Sequence, residues 1–145
     1  MKEPVFEQIL QVCIVVRDVH KAVKIWSECY GIGPWEIVEA DETKIHNYVV
    51  HGELCNEPHK ALVAMSQIGN MYLEIIEPVS ENSVYQEFLR EHGPGLHHLA
   101  VKHNDAFIPL MKERSIEEIC SLVFGERFCA YYDTREDLGF ITEIF

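Results

Sequence analysis

Positive charge is scarce in this sequence. Lys and Arg number 12 against 24 Asp and Glu, a formal net charge of −12. No basic cluster occurs. Nucleic acid and anionic membrane surfaces, which both need a basic face, are therefore not expected as partners. Long apolar runs are missing too. None approaches the roughly 20 residues of a membrane span, and Met1-Lys2-Glu3-Pro4 lacks the apolar run of a signal peptide. The five cysteines, at Cys13, Cys29, Cys55, Cys120 and Cys129, are odd in number and form no Cys-x-x-Cys pair. That argues against a disulfide framework and against a thiolate zinc site, and it points to a reducing, cytoplasmic setting. Cys13 and Cys129 read as small core residues in strands. Neither a low-complexity segment nor an interdomain linker interrupts the 145 residues.

What remains is enough to build one domain. Hydrophobic residues make up 48% of the chain and charged residues 25%. The segment from Leu10 to Val16 is apolar except for Gln11 and predicts a strand buried on both faces. Asp18 can cap a helix on which Val19, Ala22, Val23, Trp26 and Tyr30 fall at helical spacing, and Gly31 closes it. Trp26 and Tyr30 are expected to pack in the core. Trp35 to Glu39 alternates weakly as a strand. Ala40 to Asn56 is polar and reads as a loop covering a site, with one strand inside it. Lys60–Ser66 and Asn70–Glu77 read as an antiparallel pair ended by Pro78. Ser83 can cap a short helix that buries Val84, Tyr85, Phe88 and Leu89.

The block Gly93-Pro94-Gly95-Leu96-His97-His98-Leu99-Ala100-Val101 opens the second half. Its Gly-Pro-Gly turn gives way to a strand with two histidines at the mouth. By strand alternation His97 and His98 point to opposite faces, His97 away and structural. Asn104-Asp105 offers a helix cap, with Phe107, Leu110 and Met111 as the apolar face. Ser115 to Leu122 is indistinct and is assigned at most a short edge strand. Phe128–Asp133 and Gly139–Phe145 are the last strands.

The order strand, helix, then about three strands therefore occurs twice, over about 8–78 and 95–145, joined by the short helix at about 83–91. Superposing the halves pairs Gln11 with His98, each in a strand that leads to a capped helix. It pairs Glu74 with Glu143, each inside an apolar last strand. The spacing is 63 residues in the first half and 45 in the second, which lacks the polar loop. A carboxylate inside an apolar strand is costly unless compensated. If first and last strands are neighbours, Gln11, Glu74, His98 and Glu143 converge as an amide, an imidazole and two carboxylates. That set suits one divalent ion (Zn, Ni, Co, Mn or ferrous iron) better than copper(I) or calcium.

These blocks, together with Val12 to Asp18, Tyr30 to Trp35, Leu73 to Pro78 and Arg127 to Gly139, resemble the vicinal oxygen chelate superfamily. Its members include glyoxalase I, methylmalonyl-CoA epimerase, extradiol dioxygenases and bleomycin-resistance proteins. The resemblance implies an α+β fold of two βαβββ modules forming a curled mixed sheet around a metal cavity. It implies Gln11, Glu74, His98 and Glu143 as metal ligands. Glu77-Pro78 and Gly95-Leu96-His97-His98 look most like the epimerase branch, whereas glutamine at position 11 is similar to some glyoxalase I enzymes. The activity implied is that of an isomerase or lyase, moving a proton beside a metal-polarised carbonyl of a thioester or hemithioacetal. Glu143 is then ligand and base, with Glu74 as the second acid or base. An unligated base among Glu36, Glu39 and Glu53 is the other option. The substrate would be a small molecule such as a CoA or thiol conjugate, met by Lys44, Lys60, Lys102 or Arg127, and by analogy the chain would be a homodimer. A metal-free binding protein and a dioxygenase of the same superfamily are the alternatives. His20, His46, His51, His59, His92 and His103 are read as surface residues.

Overall fold

Asp18 and Gly31 bound the first helix as their chemistry requires. In the computed structural model, which describes residues 2–145, strand β1 (Phe6–Val15) leads into helix α1 (Val19–Tyr30). The Asp18 carboxylate accepts from the Lys21 N–H, and Gly31 turns left-handed at φ +67 to end the helix. Glu77 Oε2 accepts from the Val19 N–H at 3.0 Å, tying the helix start to the sheet below it. Val19 is fully buried with Ala64 and Ile75, and Ala22, Val23 and Trp26 pack around them. Tyr30 corrects the expected pattern. It is 70% exposed; at the last helical turn its ring leans on Trp26, centroids 5.9 Å apart, instead of on the sheet.

Next come β2 (Glu36–Asp41), β3 (Ile45–Val50), β4 (Glu53–Leu54), β5 (Lys60–Ile68), β6 (Met71–Pro78) and α2 (Val84–His92). The β5–β6 hairpin turns at Gly69-Asn70, with Ile68 opposite Met71. Ser83 caps α2 by accepting from the Gln86 N–H, and the helix buries Val84, Tyr85, Phe88 and Leu89. The second half supplies β7 (Gly95–His103), α3 (Phe107–Glu113), β8 (Glu118–Phe124), β9 (Arg127–Tyr132), α4 (Arg135–Leu138) and β10 (Ile141–Ile144).

All ten strands join one curled mixed sheet in the order β2-β5-β6-β1-β7-β10-β9-β8-β3-β4. β1 runs parallel to β6, β7 runs parallel to β10, and β1 and β7 pair antiparallel at the centre. Each half thus sets its first strand beside its last. Two findings correct the sequence reading. The segment 40–56 folds into β3 and β4, and β3 leaves its own half to pair with β8. β8 is consequently an interior strand, because the polar segment covers the edge it would otherwise expose. β1 is also not buried on both faces: Gln11, Cys13 and Val15 are buried, while Val12 and Ile14 are only partly so. Helix α1 packs chiefly on β5 and β6.

The largest cluster of buried side chains joins β1, α2, β8, β9 and β10, including Val15, Phe88, Leu122, Tyr131 and Ile141. A second, under α3, gathers Phe107, Met111, Val101, Tyr132 and Ile144. Full burial of a side chain such as Phe107 contributes about 1.5–3 kcal/mol. These clusters fix the strands on which the polar site is mounted.

Candidate metal centre

Strand register delivers the site. Across β1–β6 Cys13 is opposite Glu74, and across β1–β7 it is opposite His98. On β10, Ile141 is opposite His98 and Glu143 opposite Ala100. With side chains alternating, Gln11, Glu74, His98 and Glu143 share the concave face. His98 Nε2 lies 2.7 Å from Glu143 Oε2 and 3.6 Å from Glu74 Oε1. Gln11, Glu74 and Glu143 line a cavity of about 260 Å³, whose wall also includes Val63, Met65, Leu122 and Tyr131. Polar groups at the floor of a mostly apolar cavity are the ordinary form of a small-molecule site.

The floor is electrostatically unfinished. His98 Nε2 and Glu143 Oε2 are buried without a hydrogen-bond partner. They are within ion-pair distance but not aligned for a hydrogen bond. Burial, followed by the charge of Glu143, pushes the Glu74 carboxyl up to about 7, against the pull of His98 and of hydrogen bonds from Cys13 and Gln11. Among the described residues, no Lys or Arg forms an ion pair with Glu74 or Glu143; Lys60, in the wall, pairs with Glu39. Two carboxylates approaching one imidazole nitrogen, with orphaned atoms and no Lys or Arg counter-charge, fit a divalent cation. Gln11, Glu74, His98 and Glu143 are the residues that would hold it.

Residues 10–127 match the family described as the glyoxalase/bleomycin resistance protein/dioxygenase superfamily. The chain belongs to this superfamily. Its fold is similar to that of a Streptomyces coelicolor methylmalonyl-CoA epimerase variant in complex with 2-nitronate-propionyl-CoA. That likeness has a TM-score of 0.65 and 18% identity, covering 96% of this chain and 93% of the other. A hypothetical protein from Bacillus halodurans C-125 is similar at a TM-score of 0.62 and 22% identity, over 94% and 91% of the two chains. The uncharacterized protein YqjC of Bacillus subtilis (strain 168) is 46% identical over 44 residues, 30% of this chain and 31% of its own length.

Other parts of this superfamily member's site were not anticipated. The Cys13 thiol, a Glu74 carboxylate oxygen and a His98 ring nitrogen lie within 4.8 Å of one another. Cys13 is a core residue, fully buried, but it also faces the site. Its place two residues after Gln11 on the same strand face was the available signal. Burial and the neighbouring carboxylates push its thiol well above the ordinary range. Tyr85 and Tyr131, joined hydroxyl to hydroxyl at 2.6 Å, also line the cavity.

His97 corrects the reading that it points away from His98. Cys13 pairs with His98 and Ile14 with Leu96, so His97 is the extra residue of a β-bulge. The bulge breaks the alternation, and the two Nδ1 atoms meet at 2.8 Å. His59 is likewise not a surface residue: it is buried, stacks on Tyr48 with centroids 4.5 Å apart, and lines the cavity. Glu36, Glu39 and Glu53 are exposed and outside the cavity wall, which leaves Glu74 and Glu143 as its carboxylates. Of the four cations considered for the substrate, Lys60 and Arg127 line the cavity; Lys102 pairs with Glu7, and the Lys44 ammonium donates to the Glu39 carbonyl.

Proposed function

We propose that the chain is a divalent-metal-dependent isomerase or lyase that moves a proton on the carbon next to a carbonyl of a thioester or hemithioacetal. The observation that carries this reading is the buried meeting point of Glu74, His98 and Glu143, with its two orphaned atoms, at the floor of the cavity. Gln11, Glu74, His98 and Glu143 hold the ion, Zn, Ni, Co or Mn, and the Cys13 thiol is a further candidate ligand. The ion, when bound, neutralises the paired carboxylates and polarises the substrate carbonyl. Glu143 accepts the proton from carbon. Glu74, the second carboxylate of the cavity, is placed to return it. Arg127 and Lys60 offer positive charge to an anionic CoA or thiol conjugate.

The 2-nitronate-propionyl-CoA bound by the Streptomyces coelicolor relative favours an acyl-CoA substrate. Glutamine at position 11 favours a hemithioacetal. The test is solvent-deuterium incorporation into methylmalonyl-CoA and into the methylglyoxal–glutathione hemithioacetal, with chelator-treated and metal-restored protein. Incorporation into one of them that depends on added ion is the expected result. Tight substrate binding without exchange under any ion would replace this reading with a metal-free binding protein.

A further inference from the structure

With both imidazoles neutral, as a histidine ligand to a metal must be, two Nδ1 atoms 2.8 Å apart share one hydrogen. There are two ways to place it. If His97 donates, His98 must carry its own proton on Nε2, which faces Glu143. That N–H is then buried with no aligned acceptor, since Nε2 makes no hydrogen bond despite lying 2.7 Å from Glu143 Oε2. If His98 donates, its Nε2 presents a lone pair to the point shared with Glu74 and Glu143. Only the second arrangement makes His98 a ligand; it moves the unpartnered N–H out of the site, to His97 Nε2.

We propose that His97 is a positioning residue: its Nδ1 accepts the Nδ1–H of His98 and so locks His98 in the tautomer whose Nε2 lone pair faces the carboxylates. This rests on the reading of the site as a metal centre. No group changes charge in it.

The surroundings of His97 suit the role. It is 1% exposed and sits among Tyr85 and Phe88 of α2 and Tyr131 of β9, ring centroids 5.1, 5.1 and 6.4 Å away. Those rings fix its orientation. Burial, then the neighbouring His98, holds the His97 pKa well below the ordinary histidine range, which keeps Nδ1 available as an acceptor. The proton it retains is then on Nε2, on the side influenced by the Val84 main chain, although no hydrogen bond of regular geometry forms there. The bulge at His97 is what permits the contact, because regular pairing would send the two rings to opposite faces. A ligand histidine is commonly oriented by a partner on its other nitrogen, and loss of such partners costs about 10–100-fold in metal affinity.

The experiment combines zinc titration calorimetry with nitrogen-15 NMR of the histidine rings, on metal-stripped wild type, His97→Phe and His97→Asn. Phe retains the packing but offers no acceptor, whereas the Asn side-chain oxygen can stand in for Nδ1. Zinc affinity is expected to fall about 10–100-fold in His97→Phe and to recover in His97→Asn. In zinc-loaded wild type, His98 is expected to carry its proton on Nδ1, with scalar coupling across the bond to His97 Nδ1. Undiminished zinc affinity in a folded His97→Phe chain overturns the assignment while sparing the metal centre. An Nε2-protonated His98 in the zinc-loaded wild type overturns it too, and this result needs no variant to fold. Failure of the wild type to bind zinc defeats the metal centre and the role of His97 together.

Discussion

His98 Nε2 lies 2.7 Å from Glu143 Oε2, on the strand that runs parallel beside its own. Glu74 Oε1 approaches the same nitrogen to 3.6 Å from the other half of the chain. Neither strand pair could assemble this point alone; it exists because β1 and β7 join the halves edge to edge. The arrangement concentrates negative charge in a buried place, and its consequences can be measured.

Glu143→Gln keeps the size of the side chain and removes its capacity to take a proton. The variant is expected to fold and to lose solvent-deuterium incorporation into substrate by about 10²–10⁴-fold. Mass spectrometry of recovered substrate checks this. Full exchange in the variant would remove Glu143 from the role of base.

Glu74 gives the metal-free protein a distinctive pH dependence. Its pKa is about 7 in the fold against an ordinary 4.5. Between those values the native protein holds a proton that the unfolded chain has released, so stability falls as pH rises through the window. Urea unfolding of chelator-treated protein from pH 4.5 to 7.5 should show the decline, and Glu74→Gln should flatten it. An equal slope in both proteins would contradict the assignment.

His51 acts in a different window. It joins the β3–β4 turn to α2 and to the residue just before β8, with Nε2 2.9 Å from Glu87 and Nδ1 2.8 Å from Glu117. Hydrogen bonds to Glu117 and Glu87 raise its pKa to about 8. Its contribution is therefore full below 6.5 and is lost as pH rises through 8. The groups are exposed, so the effect is small, under about 1 kcal/mol. Denaturation at pH 6 and pH 9 should show His51→Ala less stable than wild type at the lower pH and indistinguishable at the higher.

Cys13 sets the metal preference if its thiol ligates. Cys13→Ser is close in size, and its hydroxyl can donate to Glu74, so the fold is expected to persist. Zinc affinity should then fall more than manganese affinity, because sulfur favours the softer ion. Competition against a chromophoric chelator measures both. Equal losses for the two ions would leave Cys13 as a packing residue.

The repeat was readable because carboxylates inside apolar strands are costly and two stood at matching places, Glu74 and Glu143. Superposing the halves then paired Gln11 with His98. Strand alternation failed at His97, since a bulge is a feature of pairing and leaves no mark in one strand's pattern. β8 was mistaken for an edge because its partner, β3, comes from the far half of the chain. Cys13 was overlooked because a buried thiol looks apolar until its neighbours are known. Tyr30 had helical spacing but nothing beyond Trp26 to pack on.

The central claim is that one divalent ion is held between the two halves of the chain. Anomalous scattering from a crystal of the cobalt- or zinc-loaded protein tests it most directly. The account predicts a single peak at the point shared by Glu74, His98 and Glu143, with Gln11 beside it. A cavity floor without a peak in crystals of metal-saturated protein, or a peak only at surface groups, would contradict it.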